Sequence, residues 1–135
     1  MQFGKTLGNA KRDGAAGNDP RFRRRLISAD RVQGTPVFDH HGEQIGHIED
    51  VMLDKEAGKV AYAIMSHGGL LGAGERYHPL PWSMLRYDLE KGGYIVPLDK
   101  ADLQGAPTLD HTEIYGDDAW QQVVHSHYGT PAPFI

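Results

Sequence analysis

From Leu26 to Val96 the chain alternates short apolar runs with turn residues, the pattern of a small, mainly β domain. Residues 35–38 predict a short strand. Asp39-His40-His41-Gly42 follows as a hairpin turn in which Gly42 supplies a positive φ. Residues 44–53 return as a second strand. Ile45, Ile48, Val51 and Met52 fit a helical stripe about as well, but Gly46 within the run and turns on both sides favour a bulged strand. After a turn at residues 54–59, Val60, Tyr62 and Ile64 alternate with Ala61, Ala63 and Met65, apolar on both faces. This is the signature of a central strand. Residues 76–80 predict the next strand, and Pro81-Trp82-Ser83-Met84 a tight turn with Trp82 over the core. Residues 85–88 and 93–96 flank residues 89–92 as a further hairpin, ended by Pro97.

Helical periodicity is confined to the C-terminal part. Residues 100–104 predict one helical turn closed by Gly105-Ala106-Pro107. A last helix starts near Asp117, where Asp117 and Asp118 suit the positive end of its dipole, and Gly129 suits its C-terminal cap. Trp120, Val123, Val124, His127 and Tyr128 fall at i, i+3, i+4, i+7 and i+8, one face of that helix. The face either packs across the β domain or meets another chain, and these five residues are the candidate interface. Residues 1–20 are dominated by Gly, Asn, Asp and Ala with no apolar period, which predicts a flexible arm. Residues 130–135 predict a frayed tail.

Length and composition narrow the class. A chain of 135 residues suits one small domain. It holds no apolar run of about 18 residues, so no transmembrane helix is expected. No apolar segment of the secretory type stands at the N-terminus. The absence of cysteine excludes disulfides, thiolate metal sites and cysteine nucleophiles, and makes the cytoplasm the default compartment.

Charge is laid out unevenly. Residues 1–25 carry a net of +5, which leaves −9 for the rest of a chain whose formal net charge is −4. A basic head and an acidic remainder attract each other within a chain or between chains. Arg21, Arg23, Arg24 and Arg25 form a basic patch with one aromatic residue, Phe22, among them. It reads as a solvated hinge or as a contact for RNA or the ribosome. The −9 balance of the remainder argues against an extended nucleic-acid surface. Protonation of all eight histidines would carry the formal charge from −4 to +4, so association is expected to depend on pH between about 5 and 7.

Catalytic patterns are weak. Ser28, Ser66, Ser83 and Ser126 lie outside any nucleophile elbow. Glu49 and Asp50 are adjacent and point apart on a strand, while Asp117 and Asp118 already serve a helix start. The glycine-rich stretch at residues 68–75 lacks the Lys-Ser/Thr pair of a phosphate loop and leads into a strand, so its glycines read as turn residues. Metal binding is the best supported chemistry. His40-His41 and His125-Ser126-His127 lack the i, i+4 spacing of a helical ligand pair and need partners from elsewhere in the fold. A surface role near the helix C-terminus is the plainer reading of His125 and His127. No catalytic residue, metal ligand or cofactor is assigned.

The ordered blocks together resemble the PRC-barrel family. They run Leu26-Ile27-Ser28-Ala29-Asp30-Arg31-Val32, Gly34-Thr35-Pro36-Val37, and Gly42-Glu43-Gln44-Ile45-Gly46-His47-Ile48-Glu49-Asp50-Val51-Met52-Leu53-Asp54. Further on come Gly58-Lys59-Val60-Ala61-Tyr62-Ala63, Gly68-Gly69-Leu70-Leu71-Gly72-Ala73-Gly74, Pro79-Leu80-Pro81-Trp82-Ser83-Met84-Leu85 and Tyr94-Ile95-Val96. The resemblance implies a β-barrel of about six short, bent strands, with Gly46, Gly58, Gly69, Gly72, Pro81 and Trp82 as fold-determining positions. It also implies a protein-contact module rather than an enzyme, in the manner of free-standing bacterial or archaeal members.

The expected organisation is a flexible basic arm at residues 1–25, a PRC barrel at 26–107 and a helical extension at 108–135. The expected function is a non-catalytic interaction or assembly module, self-associating or bound to another protein. Two alternatives are a metal- or small-ligand-binding stress protein using surface histidines, and an RNA- or ribosome-associated adaptor using Arg21, Arg23, Arg24 and Arg25.

Overall fold

The computed structural model describes residues 25–67 and 76–130. Within them a short helix α1 (Ala29–Val32) leads into β1 (Pro36–Phe38), β2 (Gln44–Asp54), β3 (Lys59–His67) and β4 (Tyr77–Pro81). A 3₁₀ turn (Trp82–Met84) joins β4 to β5 (Arg86–Asp88), which pairs with β6 (Gly93–Ile95). Three helices follow: α2 (Lys100–Gln104), α3 (His111–Ile114) and α4 (Trp120–Tyr128). The flexible arm, Arg21, Arg23, Arg24, the glycine-rich stretch at 68–75 and residues 131–135 lie outside the described residues.

The six strands form one sheet in the order β4-β3-β2-β1-β6-β5. All neighbours are antiparallel except β1 and β6, which run parallel with Val37 opposite Tyr94. The two edge strands, β4 and β5, are consecutive in the chain, with residues 82–85 between them. Five peptide steps span at most about 18 Å, whereas the edges of a flat six-stranded sheet stand about 24 Å apart. The sheet must therefore curl until its edges approach. A barrel shape follows from that short connection.

Strand β3 is buried on both faces, as its composition predicts. Ala63 and Met65 join Val37, Ile45, Ile48, Leu80, Tyr94 and Val96 in the barrel interior. Tyr62 and Ile64 point the other way, into a second cluster with Tyr77, Leu109, Ile114, Trp120 and Val124. The C-terminal helices thus cover the outer face of the sheet. Asp99 and Asp110 each begin a helix with a reciprocal capping box, to Asp102 and Glu113 respectively. These caps define α2 and α3, the second of which the sequence pattern does not announce.

Strand β2 is bent, but not where expected. Its ladders shift register between Ile48 and Asp50 and between Met52 and Leu53, and against β1 between Val37 and Phe38. Gly46 itself sits in a close approach. A Cβ there would run into the Ser66 carbonyl oxygen, with the Met65 side chain at 3.0 Å. Gly46 lets β2 and β3 meet at this point. Gly46→Ala is expected to cost at least about 2 kcal/mol, because backbone must move to admit the methyl group. Urea denaturation of the two proteins checks this, and an unchanged midpoint would refute it.

Candidate functional site

The turn between β1 and β2 is built around Asp39. Its Oδ1 accepts the N–H groups of His41 at 2.8 Å and Glu43 at 2.9 Å, and the turn closes through Gly42 at φ 89°. Asp39 is only 2% exposed. Burial alone would raise its pKa, but the donated N–H groups, with the His41 and His40 imidazoles, hold it below the usual carboxylate value. The His40 N–H donates to the Leu98 carbonyl at 3.2 Å, which ties the turn to the chain entering α2. That contact brings Asp99 beside the two imidazoles. The donor atoms of His40, His41 and Asp99 lie within 4.8 Å of one another, and the two rings are 4.0 Å apart. His40 and His41 also line a cleft of about 520 Å³ with Gly42, Met84, Arg86 and Lys91.

Helix α4 carries the second concentration of polar chemistry. Its buried residues are Trp120, Gln121, Val124 and His125. The Tyr62 hydroxyl, rising from β3, bonds to Gln121 Oε1 at 2.7 Å and to His125 Nε2, and His125 Nδ1 bonds to Thr130 Oγ1 at 2.8 Å. One proton order satisfies all three contacts: Thr130 donates to His125, His125 to Tyr62, and Tyr62 to Gln121. Burial, reinforced by the charge of Asp118, pushes the Tyr62 hydroxyl up to about 12.

This arrangement corrects the reading of α4. The helix starts at Trp120, after a turn in which Asp117 accepts the Ala119 N–H, and ends at Gly129 (φ 70°). Trp120 and Val124 are consumed by the fold, Trp120 against the Tyr62 ring at 4.8 Å, and are no free surface for another chain. Tyr128 is half-buried against both clusters. Only Val123, 60% exposed, and His127 face outward from the expected stripe. His125, expected at the surface, is a buried structural group. The helix is rotated because Gln121 and His125 satisfy each other's surroundings through Tyr62, which makes two polar side chains buriable.

The two sheet edges differ. On β4, Pro79 and Pro81 offer no N–H, and Tyr77 exchanges both backbone hydrogen bonds with Leu109, at 2.8 and 2.9 Å. That edge is blocked. Strand β5 has β6 on one side and no strand on the other among the described residues. Tyr87 is 47% exposed and Leu89, in the adjoining turn, 62%.

The PRC-barrel domain model matches residues 25–103, more than half of the chain. The chain belongs to the PRC-barrel family. No curated protein matches it significantly. Among solved structures it is similar to RimM, named as a 16S ribosomal RNA processing protein, from Pseudomonas aeruginosa. The two are 21% identical, with a TM-score of 0.37 over 62% of this chain and 50% of that one. The match thus spans half the length of that protein.

Placed on the PRC barrel, the expected basic patch reduces to Arg25, which is exposed, since Arg21, Arg23 and Arg24 lie outside the described residues. Among the described residues no helix is long and apolar enough to cross a membrane. Asp99, Gln121 and Arg86 escaped the sequence reading. Asp99 had a signal, its capping-box spacing to Asp102, but nothing in the sequence linked it to residues 40–41.

His78 points into the barrel on the same face of β4 as Leu80, and among the described residues its Nδ1 has no hydrogen-bond partner. Burial, with the neighbouring His67, lowers its pKa from 6.5 to about 4. The unfolded chain takes up this proton as pH falls through 6.5, and the folded chain only near 4. Stability is therefore expected to fall between those values, by at most about 3 kcal/mol. Comparing denaturation at pH 7 and pH 5 for wild type and His78→Leu tests it: the variant should lose less on acidification. Tyr62→Phe leaves Gln121 and His125 with an unmet partner in a buried site and is expected to cost about 1–3 kcal/mol by urea denaturation. A neutral substitution would show that the network adds nothing to stability.

Proposed function

We propose that this PRC-barrel protein is a non-catalytic assembly module that pairs with a second copy of itself through β5. The reading is supported by one observation above others: the free edge strand is self-complementary. Its sequence is Arg86-Tyr87-Asp88. Antiparallel pairing about a two-fold axis through Tyr87 sets Arg86 opposite the partner's Asp88, and Asp88 opposite the partner's Arg86. Side chains i and i+2 share a face of a strand, so both ion pairs form on one side and the two tyrosines meet on the other. The Tyr87 ring is already steadied edge-on by Tyr94 at 5.1 Å. The isologous interface is closed, so it ends in a dimer rather than a fibre.

The buried polar groups of the fold are consistent with a module rather than an enzyme. Asp39 holds a turn, and Tyr62, Gln121 and His125 anchor a helix. Each has a structural task. Light scattering after size exclusion tests the reading on the full chain. A concentration-dependent dimer is expected, and Arg86→Glu should weaken it roughly tenfold, because two cross-strand attractions become two repulsions. A monomer at every concentration would end the self-assembly reading. A dimer indifferent to Arg86→Glu would place the interface elsewhere.

A further inference from the structure

We propose that His40, His41 and Asp99 form a binding site for a first-row divalent cation of the Zn²⁺ class. The three donors come from two segments far apart in the chain, brought together by the backbone hydrogen bond from His40 to Leu98. The turn that presents the imidazoles is rigid for a reason already seen: a buried carboxylate, Asp39, gathers its N–H groups. Asp39 is thus a positioning residue, and Asp99 a ligand.

The donor set decides the metal class. Two imidazoles and one carboxylate suit Zn²⁺, Ni²⁺ or Cu²⁺, whereas Mg²⁺ and Ca²⁺ prefer all-oxygen shells. Metal–ligand bonds of about 2.0–2.2 Å place tetrahedral donors roughly 3.4 Å apart. From 4.8 Å or less, small side-chain rotations close the set, and His40 and His41 are exposed and free to make them. Asp99 keeps its capping contact to the Asp102 N–H through Oδ1, so coordination can use its other oxygen without undoing α2. Three protein ligands leave a fourth position open, and the two histidines border the 520 Å³ cleft where an exogenous ligand would enter. Nearby Lys100 lies 3.7 Å from Glu43, which offsets its charge beside the site. The inference does not depend on dimer formation.

Calorimetric titration of the full, tag-free, chelator-treated chain with ZnCl₂ tests the site. One Zn²⁺ per chain is expected. His40→Ala/His41→Ala should lower the affinity at least tenfold. Asp99→Asn should do so too, while asparagine preserves the helix cap. His127→Ala, on the exposed side of α4, should bind as wild type. Unchanged circular dichroism confirms that the variants fold. Side-chain NMR of the wild-type histidines provides a second readout, in which Zn²⁺ should shift His40 and His41 first. Weak, non-stoichiometric binding overturns the proposal, as does binding that survives in both site variants.

Discussion

The two-sided burial of β3 is the constraint on which the rest of this structure depends. A strand with Ala63 and Met65 on one face and Tyr62 and Ile64 on the other cannot sit on a one-layer sheet without leaving one face wet. The barrel takes the first pair and the C-terminal helices take the second. This makes residues 108–130 part of the same packing unit as the barrel, not an appendage to it. It also explains why the helix stripe is spent inside the chain, and why an assembly surface has to be sought on the sheet edge instead.

A second constraint is length. Because residues 82–85 alone join the two edge strands, the curl of the sheet is imposed by the chain and then filled by the interior side chains. The same curl carries the chain leaving β6 past the β1–β2 turn, where Val96 N–H bonds to the Phe38 carbonyl at 3.0 Å and His40 N–H to Leu98. The juxtaposition of His40, His41 and Asp99 is therefore a by-product of barrel geometry. The proposed cation site needs no special loop.

Much of the fold was legible in the sequence because its signals are local. Gly42 marked its turn, the double apolar face marked β3, and residues 100–104 emerged as α2. The errors have one cause. Reading α4 by hydrophobicity put Val123 and His127 inside and Gln121 and His125 outside, since a stripe counts polarity and cannot know that Tyr62 waits opposite. Gly46 was read as the bulge for the same reason: its real neighbour, Ser66, is twenty residues away and contributes a carbonyl that leaves no mark in composition. The candidate site was half visible, as two histidines without a third donor.

The lone parallel ladder has a kinetic meaning. Every other strand pair joins neighbours in the chain, whereas β1 and β6 pair Val37 with Tyr94 across most of the barrel. Hairpins close within microseconds, while a contact this distant must first meet the entropy of ordering everything between. Closure of the β1–β6 seam is then the step that sets the folding rate. Until it forms, β1 and β6 each present an unpaired edge that the corresponding strand of a second chain satisfies equally well. Strand exchange is the misfolding route this topology carries with it.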